Sequence, residues 1–206
     1  MTAHRRPRAL AATLALLLCA STPILNLPQA DAAFAATTSI ATNKWTGGTA
    51  WCTNAGQKLG NPGFETGTAS PWTVTLPTEI SNSVTFTPHT GQWYAWLAPT
   101  AGVPQFLSQS VTLPTGCSTA TLSFYLHIEF HGGQGSGTLA VQLLNSAGTL
   151  LTTLATLSTN NASGYVQYSY NLNAYAGQTI TVKFNATATG LRLPNFVIDD
   201  TNLSVS

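Results

Sequence analysis

The chain has 206 residues, of which only 6% are charged, with seven Lys and Arg against six Asp and Glu and a formal net charge of +1. So sparse and even a distribution excludes an electrostatic grip on nucleic acid or on an anionic membrane, because either partner needs clustered Lys and Arg. Thr, Ser, Asn, Gln and Gly must therefore coat the surface, and the length suits one sizeable core.

At the N-terminus, His4-Arg5-Arg6-Pro7-Arg8 is basic, Ala9 to Ala20 is apolar, and Ala30-Asp31-Ala32 and Ala33-Phe34-Ala35 offer small-residue cleavage sites. This is the layout of a secretory signal peptide, expected over residues 1–35, and it places the mature chain outside the cell. The apolar run is broken by Ser21, Thr22 and Pro23, short of the roughly 20 residues of a bilayer span. Removing the leader takes away Cys19, Arg5, Arg6, Arg8 and Asp31. Four basic residues remain (Lys44, Lys58, Lys183, Arg192), with five acids (Glu65, Glu79, Glu129, Asp199, Asp200).

Residues 36–58, rich in Thr, Ala and Gly and carrying Trp45 and Trp51, read as an irregular arm or linker. Cys52 and Cys117 are the cysteines left after the leader. In an exported chain a bridge between them is expected, two buried thiols being the alternative. Closing a loop of that length is worth roughly 4 kcal/mol on the chain-entropy view and would staple the arm to the domain.

From residue 59 to 206 the punctuation is that of an all-β protein. Strand-length runs are expected at 74–76, 83–87, 93–97, 106–113, 120–130, 138–145, 150–158, 165–172, 178–185 and 195–205. Turn residues separate them, among them Pro114-Thr115-Gly116, Gly132-Gly133-Gln134-Gly135, Ser146-Ala147-Gly148 and Ala176-Gly177. Many short strands at this spacing predict an antiparallel β-sandwich or barrel, with no helix longer than a turn or two. Leu122, Phe124, Leu126, Ile128 and Phe130 alternate with Ser123, Tyr125, His127 and Glu129, and His131 continues the second row. The first row is core and the second is wetted. Leu139, Val141 and Leu143 repeat the pattern, as do Ile180, Val182 and Phe184.

The last strand breaks this period. If Phe196 and Ile198 point inward, strict alternation sends Leu203 and Val205 outward, so one extra residue must be absorbed near Asp199-Asp200-Thr201. A β-bulge there would aim an aspartate at a ligand. A solvent-facing acidic pair on an edge strand is the alternative.

Asn61-Pro62-Gly63-Phe64-Glu65-Thr66-Gly67 with Trp72, and the closing Val197-Ile198-Asp199-Asp200-Thr201-Asn202-Leu203, resemble the terminal signatures of galactose-binding-like jelly rolls, including carbohydrate-binding modules of the CenC type. The middle of the chain carries Trp93-Tyr94-Ala95-Trp96-Leu97, Leu107 to Pro114 with Gly116-Cys117, and Ala120 to Ile128. It resembles C-terminal accessory domains of secreted bacterial proteases and other hydrolases. The resemblance spans residues 60–206 and implies a jelly-roll sandwich with a structural calcium ion near the paired chain ends. By position, Gly63 would supply a carbonyl, Glu65 a carboxylate and Asp199 or Asp200 another, with further oxygens from the His89-Thr90-Gly91-Gln92 turn. Calcium takes six to eight hard oxygens, but this turn holds no carboxylate, so only main-chain oxygens or Thr90 would serve there.

Ligand contact is expected on the wetted face. With Ala95 and Leu97 inward, Tyr94 and Trp96 fall beside Tyr125, His127, Glu129 and His131, and aromatic planes flanked by polar groups suit sugar rings. Such large aromatics also serve to cover a hydrophobic edge or lie beneath a loop. His127-x-Glu129-x-His131 puts imidazoles and a carboxylate on one strand face. Consecutive same-face residues stand almost 7 Å apart, however, which disfavours chelation of one ion. Asp199 and Asp200 are strand neighbours and make a poor glycosidase pair, and no nucleophile elbow, phosphate loop or zinc helix motif appears. The expectation is a secreted, non-catalytic module for a polysaccharide, glycan or other extracellular polymer. The alternative is an accessory domain docking on a secreted protein such as a protease.

Overall fold

A computed structural model describes residues 52–206, apart from Ala162 and Arg192, and the backbone of Ser39–Ile40 and Asn43–Lys44. The expected leader, Trp45 and Trp51 lie outside the described residues. The chain divides into two units, Met1–Thr49 and Ala50–Ser206. In the first, β1 (Ser39–Ile40) and β2 (Asn43–Lys44) pair antiparallel.

The second unit is a sandwich of two antiparallel sheets. One has five strands in the order β10 (Leu150–Ser158), β9 (Gly135–Asn145), β12 (Thr179–Gly190), β7 (Gln105–Thr112), β4 (Thr73–Val74). The other has six: β11 (Ser163–Asn171), β8 (Ala120–Glu129), β13 (Asn195–Val205), β6 (Tyr94–Leu97) and β5 (Ile80–Ser81), with β3 (Gly56–Gln57) also on β13. Helical structure among the described residues is confined to short 3-10 turns at Pro77–Glu79, Thr159–Asn161 and Asn173–Tyr175. None is long and apolar enough to cross a membrane.

The period-two pattern decides which side chains are inside. Leu122, Phe124, Leu126 and Ile128 of β8 face Leu139, Val141 and Leu143 of β9 and Ile180, Val182 and Phe184 of β12, all of them buried. Phe124 and Phe184 meet edge to face across the sheets, with ring centroids 4.8 Å apart. Each such side chain stabilises the fold by about 1.5–3 kcal/mol through removal of apolar surface from water. Phe130, expected in this row, lies beyond the end of β8 and is only half-buried.

Cys52 and Cys117 form a disulfide across 65 residues of sequence. Residues 52–58, read from sequence as the end of an irregular arm, supply β3, whose Gln57 accepts the Leu203 amide at 2.7 Å. β3 and β6 both pair with the same edge of β13, β6 through Phe196–Ile198 and β3 through Ser204–Val205. Between them the β13–β8 register shifts at Asp199/Asn202, the bulge that the interrupted alternation predicts.

Residues 83–87, expected as a strand, are a loop; only Ile80–Ser81 pair with β6. The Ser81 and Ser83 hydroxyls accept the amides of Ser83 and Thr85 at 3.1 and 3.3 Å. Such local bonds offer the backbone an alternative to the sheet ladder.

Candidate functional site

At the bulge, Asp200 adopts a positive φ of 46°, and the two aspartates turn to the loop before β6. Asp199 is fully buried; its Oδ2 accepts the amides of His89 at 2.8 Å and Thr90 at 3.2 Å, and its Oδ1 that of Asp200 at 2.7 Å. Burial is the largest influence on this carboxyl and pushes its pKa up to about 6, the neighbouring Asp200 charge adding to it and the three amides working against it. Asp200 meets His89 Nδ1 at 2.6 Å and accepts the Thr90 hydroxyl at 2.7 Å. Glu65 accepts the amides of Gln92 and Trp93 at 3.0 and 2.9 Å.

Gly91 makes this convergence possible, and Gly63 lies close beside it. A Cβ on Gly63 would stand 3.4 Å from Asp200 Oδ1 and 3.8 Å from Glu65 Cγ, and one on Gly91, whose φ is +67°, would collide with the Glu65 carboxylate. Gly63, Glu65, Asp199, Asp200 and the His89–Gln92 turn are thus gathered at one point, between the stretches of β13 held by β6 and by β3. The oxygens gathered there are the carboxylates of Glu65, Asp199 and Asp200 and the Thr90 hydroxyl, the chemistry a hard cation takes. Among the described residues no three His, Cys, Asp or Glu side chains form a ready metal cluster, so a cation here must also draw on main-chain or Thr90 oxygens.

The outer face of the six-stranded sheet carries Tyr94 and Trp96 on β6, Val197 and Asp199 on β13, Tyr125, His127 and Glu129 on β8, and Tyr165 on β11. In register, Trp96 lies beside Val197 and Val197 beside His127, while Asp199 lies beside Tyr125. Loop 82–92 folds across part of this face. Phe86 is buried with its ring centroid 6.3 Å from Tyr94, 5.1 Å from Trp96 and 5.8 Å from His127. His89 stacks on Tyr125 at 3.6 Å with 17° between the planes. The sequence expectation of an open row is corrected here. Tyr94 is fully buried and donates its hydroxyl to the Ser83 carbonyl at 2.6 Å, so no face of its ring is free. Tyr125 already has its stacking partner. Phe86 and His89 were not singled out by the alternation, which cannot see a loop closing over a face.

His127 lies edge-on between Phe86 and Tyr165, 5.5 Å from the latter. The Tyr165 hydroxyl is buried without a hydrogen-bond partner among the described residues. Desolvation first, then the charge of Asp199, pushes the pKa of this phenol upward.

Beyond the loop the same face is uncovered. Trp96 is half-buried and donates Nε1 to Asn195 Oδ1 at 2.9 Å; Asn195 pairs with Glu129, and Glu129 holds His131 Nε2 at 3.0 Å. His131 is 80% exposed. Because β8 ends at Glu129, His131 can fold back onto that carboxylate, which extended spacing would forbid. The structure therefore leaves Trp96, Glu129 and His131 accessible, seats His127 beneath the loop, and adds Asn195, which carries no sequence signal of its own. Beside Trp96 a further recess of about 190 Å³ is lined by Thr78, Glu79, Trp96, Ala98 and Gln105.

No protein-family model matches the sequence, and no curated protein is similar to it in sequence. Solved structures are similar in fold. One is a family 61 carbohydrate-binding module in complex with β-1,4-galactotriose: it is 20% identical over 73% of this chain and 99% of its own, with a TM-score of 0.52. Another is an arabinose-bound family 51 α-L-arabinofuranosidase, 15% identical over 73% of this chain and 26% of its own, with a TM-score of 0.51. A family 22 xylan-binding domain from Paenibacillus barcinonensis is 14% identical over 74% of this chain and 97% of its own, with a TM-score of 0.49. The two packed antiparallel sheets and the likeness to the family 61 module establish the fold: the chain carries an antiparallel jelly-roll β-sandwich.

Proposed function

We propose that the chain is a secreted, non-catalytic module that binds a glycan or a comparable extracellular polymer through the uncovered strip of Trp96, Asn195, Glu129 and His131. The observation that carries this reading is the half-buried Trp96 indole, pinned by Asn195 beside the polar side chains of Glu129 and His131. A sugar presents apolar C–H faces and hydroxyl edges, and it gains most from an immobilised aromatic next to groups that donate and accept. The similar family 61 module was solved with a β-1,4-galactotriose, which makes galactans the first polymers to try. The leader-like N-terminus and the Cys52–Cys117 bridge support an extracellular setting. A non-catalytic role is supported by the division of the His127, Glu129 and His131 row: one imidazole is packed among aromatics, and the other is tied to the only carboxylate of the row.

Retention on insoluble β-galactan, xylan and cellulose tests this, comparing the wild type with a Trp96→Ala/Glu129→Ala double variant. The wild type is expected to be retained on at least one polymer and the variant at least tenfold less. Equal retention of both, or none by the wild type, would sink the reading. Recovery of a secreted protease by a chain that holds no polysaccharide would favour a protein-docking domain instead.

A structural calcium ion is part of the proposal, held by the Gly63 carbonyl, Glu65, Asp199, Asp200 and oxygens of the His89–Gln92 turn. The convergence of the Glu65, Asp199 and Asp200 carboxylates with the Thr90 hydroxyl supports it. The ion would neutralise an acid group that is now balanced by His89, Thr90 and main-chain amides. Excess calcium is expected to raise Tm by about 5 °C in the wild type and to leave Glu65→Gln unmoved; an unchanged wild-type Tm would remove the ion from the account.

A further inference from the structure

Glu79 is the sole acid between Glu65 and Glu129 in the sequence, and it is 2% exposed. It sits at the end of the Pro77–Glu79 turn, where its two oxygens accept the amides of Thr75 and Leu76 at 3.1 and 3.2 Å. The Thr75 side chain is a third donor to this carboxylate, which leaves one of its roughly four acceptor positions unused. Across the recess, Gln105 accepts the Ala98 amide through Oε1 at 2.7 Å, which orients the side chain and leaves its Nε2 as a donor. The Trp96 indole forms a third wall, its orientation fixed by Asn195.

We infer that this recess is a sugar subsite that takes one neutral pyranose or furanose ring at the end of a glycan chain, stacked on Trp96 with a hydroxyl bridging Glu79 and Gln105. The inference rests on the carbohydrate-binding reading and adds a place and a ligand class to it. A hydroxyl is the group that accepts from an amide N–H while donating to a carboxyl oxygen, so the pair recognises it from both sides. A volume of about 190 Å³ falls below the roughly 300 Å³ at which pockets for drug-sized ligands begin, which limits the occupant to a single ring. No Lys or Arg lines the recess and a buried carboxyl does, so an acidic sugar such as a uronate is disfavoured by charge and lost solvation.

The test is a titration of the intact chain, followed through the indole N–H resonance of Trp96, with methyl β-D-galactopyranoside, methyl β-D-xylopyranoside, methyl β-D-galactopyranosiduronate and β-1,4-galactotriose. A neutral glycoside should shift that resonance saturably, and the trisaccharide should bind within about threefold of its parent glycoside, since one terminal ring fills the recess. The uronate should bind at least tenfold more weakly. Glu79→Gln should weaken binding at least tenfold. Ala98→Leu, which fills the recess and leaves Glu79 in place, should abolish it, so the inference stays testable if the buried substitution unfolds the chain. Wild-type affinity in Ala98→Leu overturns the subsite; if polysaccharide retention then still depends on Trp96 and Glu129, the general function survives without it. An absence of saccharide binding to the wild type also overturns the subsite, and the general function falls with it only if the wild type is retained on no polysaccharide.

Discussion

The two outer faces of the sandwich are built from different chemistry. On the five-stranded sheet, hydroxyls pair across strands, Thr112 with Thr179 at 2.8 Å and Ser136 with Thr189 and Thr138 with Thr187 at 3.0 Å, and Lys183 lies 4.6 Å over the ring of Phe106. The six-stranded face holds Tyr94, Trp96, Tyr125, Tyr165, His127, Glu129 and Asp199, and loop 82–92 closes over part of it. The first face pairs part of its hydroxyls internally and carries no indole. Glu129 on the second face, and Glu79 and Gln105 in the recess beside Trp96, retain unused capacity next to an indole held by Asn195. Polar character alone therefore does not mark a binding face; unspent donors and acceptors next to a fixed aromatic do.

The largest way to break this contrast is to remove the cover from one face. Phe86→Ala should cost about 3 kcal/mol of stability, because the ring is buried against Tyr94, Trp96 and His127. Thr187→Ala on the opposite face should cost under about 1 kcal/mol. Denaturant unfolding of the two variants side by side measures the difference, and similar losses would show that the loop is not integral to the sheet it covers.

Much of the contrast was legible in the sequence. The alternation of β8 located its buried and wetted rows, and the broken alternation of β13 located the bulge, because both depend only on the period of an extended chain. Loop 82–92 was not legible. Ser83 to Thr87 reads as a strand by residue type, and that Phe86 returns to cover Tyr94 depends on a contact across the sheet. The recess at Glu79 was invisible for a related reason. A lone glutamate in a polar, Pro-bearing stretch carries no periodic signal, and its burial comes from the turn that brings Thr75 and Leu76 to it.

Glu79 also gives the six-stranded side a pH dependence that the hydroxyl face lacks. Burial pushes its pKa up from 4.5 to about 7, the amides of Leu76 and Thr75 countering only part of that effect. The folded state thus binds the proton more tightly than the unfolded state. Stability from this group is full below the unfolded value, falls as pH rises between about 4.5 and 7, and is level above, a loss of about 3 kcal/mol. Thermal unfolding between pH 5 and 8 should show Tm falling with pH in the wild type and a shallower slope in Glu79→Gln. Parallel slopes would mean that the carboxyl ionises as freely folded as unfolded.

The smallest effect concerns the hydroxyl pairs themselves. If Thr138 and Thr187 satisfy one another, replacing either by Val leaves the partner hydroxyl to solvent, which the exposed face supplies, so each single substitution should shift stability by only a few tenths of a kcal/mol. The double substitution puts two β-branched apolar side chains opposite each other, and the cycle should give a coupling of about 0.5 kcal/mol. Polysaccharide retention should be unchanged in all three variants. A loss of retention comparable to that of Trp96→Ala/Glu129→Ala would move the binding surface to the five-stranded sheet and reverse the assignment of the two faces.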